Sequence, residues 1–401
     1  MTERPPLPHG GTAAPGYEDV RAAFLGAQAE DEGGAQLCVL RHGAVVVDLW
    51  AGRDPVGGRP YDEDVIGVLM SCTKGLVAAA CHMLAERGAF DLDAPVMNYW
   101  PEFGRAGKER ITVRQALSHT AGLFGFDPEA KIGPEELFLP ARCAAALEEM
   151  PPLWPPGTAS MYHFVTFGAL AGEIIRRVDG RTAGRFLAEE ISRPLGLDLW
   201  IGLPEEEEPR VVLHFNAGPQ ILREQWRAVL EAAGLDLNDR LVRVFLSTAM
   251  TTDTVIAQMN ARREFRAGEL AAGNAIGNAR SLARFYGALI GSVDGVRLLG
   301  SAAMEQARSP QTAGLRPPGE LSKLVRGEPQ RFGSGFELPS PPKPMLGPGS
   351  FGHAGAGGRW GFAHPESGTA VGYACNTMLQ SPAEPDPRWR GWLSALRRAI
   401  G

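Results

Sequence analysis

Lysine is scarce in this chain of 401 residues, where five lysines stand against thirty-five arginines. A cation wanted only for its charge is written here as arginine, so each lysine invites a reason for its presence. Arginine stays protonated in a protein, whereas a desolvated lysine can release its proton. Cysteine is sparse too: five residues with no C-x-x-C pair, a pattern that argues against a disulfide framework and for reduced thiols. No apolar run reaches the ~18 residues of a membrane span, and the opening stretch from Met1 to Pro8 lacks the apolar segment of a secretory leader. The expectation is a cytoplasmic chain without a membrane partner. A formal net charge of −6 argues against nucleic acid as well. Metal-ligand spacing of His or Cys is missing. The late glycine run is no dinucleotide fingerprint, because Trp360 stands where the third glycine after Gly355 and Gly357 would fall. No cofactor and no metal are expected, and the partner class left is a small molecule.

What is present is a helix with chemistry at its start. Met70-Ser71-Cys72-Thr73-Lys74-Gly75 leads into Leu76, Val77, Ala80, Met83 and Leu84 at helical spacing, with Gly88 past the end. Ser71 and Lys74 are three residues apart, so they share a helix face and bring a hydroxyl and an amine within reach. A serine becomes a nucleophile when a neighbouring base takes its proton, and lysine serves as that base once its pKa is lowered. A helix N-terminus adds free N–H groups and a dipole suited to developing negative charge. A second S-x-x-K, Ser340-Pro341-Pro342-Lys343, provides a control, since its two prolines forbid a helix interior. Cys72 beside the serine reads as a small apolar filler, with a reactive thiol as the competing reading.

The remaining chain supplies a frame. Residues 1–16 are rich in Pro and Gly and are expected to be flexible, and 17–29 read as a helix. Residues 36–50 read as a hairpin turning at His42-Gly43. Residues 111–117 form a short helix that stops at Ser118-His119-Thr120-Ala121-Gly122-Leu123. His119 invites a serine-protease-like triad, but no G-x-S-x-G occurs, so it is read as a structural turn histidine. A stiff loop, Pro151 to Thr158, delivers the chain to Tyr162 and His163 and then to a stripe of Phe164, Phe167, Leu170, Ala171, Ile174, Ile175 and Val178. Residues 309–350 read as a long covering loop, 351–375 as β-structure, and the end as a helix from about Pro387. β-elements at both termini with helices between them imply an α+β fold: residues 17–75 and 271–401 form a mixed α/β domain with an antiparallel sheet flanked by helices, and 76–270 form an inserted, mainly helical subdomain.

Five motifs appear in order: Ser71-Cys72-Thr73-Lys74, Leu117 to Leu123, Pro156-Gly157-Thr158 with Tyr162, Ala272-Gly273-Asn274-Ala275, and Gly352-His353-Ala354-Gly355-Ala356-Gly357-Gly358. Together they resemble the serine β-lactamase-like superfamily of class C β-lactamases and penicillin-binding proteins, and most of all its family VIII carboxylesterases. The resemblance runs from about residue 20 onward. It implies Ser71 as acyl-accepting nucleophile, Lys74 as its proton acceptor, and Tyr162 as the residue that passes a proton to the leaving group and then activates water. It also implies an oxyanion hole from the backbone N–H groups of Ser71 and Ala356, and substrate contacts from His353, Gly355, His163 and Phe164. Two departures separate this chain from the lactamases: Phe164 replaces the Asn of Tyr-x-Asn, and His353-Ala354-Gly355 replaces Lys-Thr-Gly. Both remove polar handles for a lactam acid, and a neutral ester suits such a pocket better. The expected activity is therefore hydrolysis of small or short-acyl esters. Acyl transfer to a second acceptor is the nearest alternative, followed by weak β-lactam hydrolysis and a non-catalytic scaffold.

Overall fold

The computed structural model describes residues 6–216, 223–325, 327–379 and 385–401. Its main sheet has six strands in the order β1-β3-β2-β10-β9-β8, every neighbour antiparallel. These are β1 (His9–Ala13), β2 (Gly34–Arg41), β3 (Ala44–Gly52), β8 (Phe351–Gly355), β9 (Arg359–His364) and β10 (Thr369–Cys375). A three-stranded ribbon joins β4 (Gly67–Val68), β7 (Ile276–Gly277) and β5 (Leu199–Trp200), and a parallel pair joins β6 (Phe215–Asn216) to β11 (Thr377–Met378).

The hairpin β2–β3 turns at His42 (φ 49°) and Gly43 (φ 81°). Positive φ at both central residues makes a turn whose twist matches that of the flanking strands. Strand alternation then sorts side chains to two faces. Leu37, Val39, Val371 and Tyr373 pack under the helices Glu18–Ala29 and Pro387–Ile400, with Phe24, Trp389 and Trp392. Cys38, Leu40, Ala370 and Ala374 face the opposite core, where Leu282 and Tyr286 of the helix Ala279–Ile290 lie. Gly372 is bare for a reason: a Cβ there would sit 2.1 Å from the Ala279 carbonyl, so the helix reaches the sheet only over glycine.

One expectation is corrected at the N-terminus. Residues 9–13 pair with β3 from His9↔Ala51 to Ala13↔Val47, so this part of the stretch expected to be flexible is an edge strand. Its glycines permit the approach, since Gly10 lies flat against the Trp50 ring, 2.6 Å from where a Cβ would be. Residues 309–350, read as a covering loop, are also tied to the sheet. Glu337 bridges to Phe332 and to Gly352, so the segment docks on the free edge of β8. Among the described residues no helix is long and apolar enough to cross a membrane.

Candidate active site

The serine helix, Cys72–Glu86, starts at Ser71 and is buried along nearly its whole length. Met70 just before it has φ 51°, a left-handed conformation that costs free energy in a non-glycine residue and is held by its surroundings. Those surroundings are visible: Thr73 donates through Oγ1 to the Met70 carbonyl at 2.6 Å and accepts the Ala275 N–H at 2.9 Å. Leu69 N–H donates to the Ala275 carbonyl at 2.8 Å. The turn carrying Ser71 is thus tied to a loop two hundred positions away in the chain.

That loop also holds the lysine. Lys74 Nζ donates to the Ala272 carbonyl at 2.8 Å and to Ser71 Oγ at 3.2 Å. Asn274 shapes the loop, accepting from Leu270 N–H at 2.9 Å and donating to the carbonyls of Gly268 (2.6 Å) and Phe265 (3.1 Å). Lys74 is only 1% exposed. Burial lowers its pKa to about 7, against a partial pull upward from the carboxylate of Glu337. A lysine that is half neutral near pH 7 is a competent base.

Tyr162 completes the group. Its phenol hydrogen-bonds with the Ser71 side chain, and desolvation holds its pKa well above the usual value. Lys74 Nζ lies over the Tyr162 ring, 4.8 Å from the centroid. So the tyrosine meets the serine through its hydroxyl and the lysine through its face. Phe164 stands edge-on to Tyr162 at 4.9 Å, and Phe332 stacks on it at 5.8 Å. Sequence reasoning passed over Phe332, since nothing in residues 309–350 tells which apolar side chain reaches the tyrosine.

The histidines form a layer behind the tyrosine. His119 (φ 64°) is fully buried, 4.8 Å from the Tyr162 ring, and its Nδ1 accepts the His163 N–H at 3.1 Å. That bond puts the proton of the neutral ring on Nε2. His163, named as a substrate contact from the resemblance, is also fully buried, with Nδ1 donating to the Met161 carbonyl at 2.7 Å. It packs between His119 and Trp154, in the ring layer next to Tyr162. His353 is fully buried 6.0 Å from Tyr162, its Nδ1 donating to the Ala354 carbonyl at 2.8 Å. Burial lowers the pKa of His163 and of His353 to about 4 each, and that of His119 well below the usual value. All three rings are neutral at pH 7.

The strand edge supplies the remaining donors. Gly355 brings β8 against the serine turn, since a Cβ on it would fall 2.3 Å from the Leu69 carbonyl. Its role is close approach of main chain. Ala356, in the exposed turn after β8, and Ser71 both carry backbone N–H groups without a backbone partner among the described residues. Arg359 holds this turn by donating to the Ala356 carbonyl at 3.0 Å, and Arg388 by donating to the Gly357 carbonyl at 2.7 Å. Cys72 lies on the far side of the serine, its thiol donating to the His353 carbonyl at 3.2 Å. Complete burial pushes its pKa up, which fits the filler reading.

Comparison with known proteins agrees with this architecture. Residues 21–395 match the Beta-lactamase family. The chain is 34% identical over 355 residues to the esterase/beta-lactamase LipL of Mycobacterium tuberculosis, covering 86% of this chain and 78% of that one. It superposes on a penicillin-binding protein homologue from Caulobacter crescentus with a TM-score of 0.81 and 35% identity, over 98% of this chain and 100% of the other. A family VIII carboxylesterase gives a TM-score of 0.81 at 32% identity, again over 98% and 100%. A match that spans the serine helix, the Tyr162 loop and the β8 edge alike means that this chain belongs to the Beta-lactamase family.

Proposed function

We propose that the chain hydrolyses small or short-acyl carboxylic esters through an acyl-serine intermediate. The observation that carries this reading is Lys74, buried to 1% exposure, 3.2 Å from Ser71 Oγ, with its pKa lowered to about 7. Lys74 takes the Ser71 proton as Oγ bonds to the ester carbonyl carbon. The carbonyl oxygen, now negative, lies between the N–H groups of Ser71 and Ala356; each such donor contributes roughly 3 kcal/mol to transition-state stabilisation. The carbon–alkoxy bond then breaks, and the alkoxide leaves with the proton relayed from Lys74 through the Tyr162 hydroxyl. Water attacks the acyl carbon, gives its proton back along the same path, and Ser71 is released with the carboxylic acid. No cofactor enters any of these steps.

The preference for esters over lactam acids is supported by His353. Its Nδ1 is committed to the Ala354 carbonyl, so Nε2 of the neutral ring carries a lone pair where Lys-Thr-Gly would place a cation. An anionic substrate group gains nothing from that lone pair. The name of the family VIII carboxylesterase points the same way, and that of LipL covers both esterase and beta-lactamase. The test is p-nitrophenyl butyrate hydrolysis by the wild type and by Ser71→Ala, with nitrocefin in parallel. Turnover of the ester by the wild type alone, well ahead of nitrocefin, is the expected result. Activity retained in Ser71→Ala would overturn the assignment.

A further inference from the structure

The segment 309–350 carries an ion pair, Glu337 buried and Lys343 half-buried, to the free edge of β8. The backbone of Glu337 pairs with Gly352, donating its N–H at 2.7 Å and accepting at 3.0 Å. Its carboxylate continues along the edge: Oε2 accepts the Ala354 N–H at 2.8 Å, and Oε1 accepts from Lys343 Nζ. The Glu337 side chain is 3% exposed. Lys343 reaches it because Ser340 and Lys343 close a tight turn with reciprocal backbone bonds of 3.1 and 2.9 Å. The second S-x-x-K of the sequence is therefore a turn that returns its lysine to a carboxylate.

Alternation along β8 makes Gly352 and Ala354 the residues whose N–H groups point off its free edge. Glu337 occupies both, the second with a charge-assisted bond. Ala356 follows in the turn after β8, its N–H without a backbone partner among the described residues, and Gly355 before it packs on the Leu69 carbonyl of the serine turn. We propose that Glu337, balanced by Lys343, is a positioning residue for ester cleavage: it fixes the free edge of β8 so that the Ala356 N–H is the donor presented at Ser71, and it sets the charge felt by Lys74. This inference rests on the acyl-serine reading above. A buried ion pair is weak as a source of stability, and here its geometry has a directional use.

The titratable and charged groups around Lys74 come from five places. They are Cys72 on its own helix, Tyr162 and His163 on one loop, His119 on the turn behind, His353 on β8, and Glu337 with Lys343 on the docked segment. The histidines are neutral and the thiol and phenol protonated at pH 7, so Glu337 and Lys343 are the charges that remain.

The experiment is the pH profile of kcat/KM for p-nitrophenyl butyrate, with kcat and KM resolved at the plateau. Glu337→Gln removes the negative charge and keeps an acceptor for Ala354. Its acidic limb is expected to move to lower pH by about half a unit to one unit, because Lys74 loses a neighbour that favours its protonated form. In Glu337→Gln/Lys343→Met the unbalanced cation is also gone, and the limb returns part of the way. Glu337→Leu removes the acceptor too, and its plateau kcat falls about tenfold below that of Glu337→Gln with little change in KM, the mark of a displaced oxyanion donor. If Glu337→Leu does not fold, the two limb positions decide alone. An acidic limb unmoved in Glu337→Gln, or a wild-type plateau in Glu337→Leu, overturns the proposal. With Ser71→Ala inactive in the same assay, either result removes the role of Glu337 only. If Ser71→Ala is active, the acyl-serine reading falls and this inference with it.

Discussion

Lys74 Nζ donates to the carbonyl of Ala272 at 2.8 Å across 198 positions of sequence. The helix places Lys74 beside Ser71, and this remote carbonyl decides where the ammonium or amine rests. The bond also keeps the lysine desolvated, because it draws the side chain inward.

On the proposed acyl-serine route, activity should follow the protonation of Lys74. A base works when neutral, so kcat/KM should rise with pH through about 7, the value to which burial lowers Lys74. A pH–rate profile with a neutral ester checks this. Lys74→Arg, permanently charged, should lose at least about a thousandfold in kcat/KM across the whole range.

The same shift has a stability consequence of definite sign. Between the folded value near 7 and the ordinary value of 10.5, the unfolded chain binds the Lys74 proton and the native chain does not. Stability therefore rises with pH through that window and is lowest, on this account, below about 7. Lys74→Met should be inactive yet melt a few degrees higher at pH 6–7, as thermal unfolding would show.

Asn274 is buried with three hydrogen bonds to Leu270, Gly268 and Phe265. Asn274→Ala leaves these groups unpaired at a cost of about 2–4 kcal/mol. It also loosens the loop that carries the Ala272 carbonyl. Activity should fall by about ten- to a hundredfold while Ser71 still labels slowly with a serine-directed phosphonate.

Gly355→Ala should be worse for catalysis than for folding. The added methyl meets the Leu69 carbonyl at 2.3 Å, and main chain gives way only by moving β8 and Ala356 from Ser71. A loss of about a hundredfold in kcat is expected, with a melting temperature lowered by only a few degrees.

Thiol chemistry should be silent. All five cysteines are buried, Cys72 included, so native protein should react with an aromatic disulfide reagent only at the rate of unfolding. Cys72→Ala should keep esterase activity within about threefold. A fast thiol whose modification blocks turnover would revive the reactive reading of Cys72.

Much of the frame was legible because local rules suffice for it. The hairpin at His42-Gly43, the serine helix, the short helix before His119 and the final helix each follow from side-chain period and turn residues within a dozen positions. The edge strand at 9–13 was not legible, since its glycines read as disorder until Trp50 and β3 are placed beside them. His163 was named as a substrate contact from the resemblance, yet its ring is fully buried, bonded to the Met161 carbonyl and packed between His119 and Trp154.

Ser71 and Lys74 were decided by sequence alone as a pair, because three residues of helix bring a hydroxyl and an amine together whatever the remainder of the chain does. The family, too, is written in motif order. Only tertiary structure decides what surrounds the pair: the burial that lowers Lys74, the Ala272 carbonyl that holds it, the Tyr162 hydroxyl at Ser71 and the Glu337–Lys343 pair on the edge of β8. Desolvation and hydrogen-bond geometry depend on what lies within a few ångströms, and here those neighbours come from distant segments, Ala272 lying 198 positions from Lys74, a distance that no local pattern encodes.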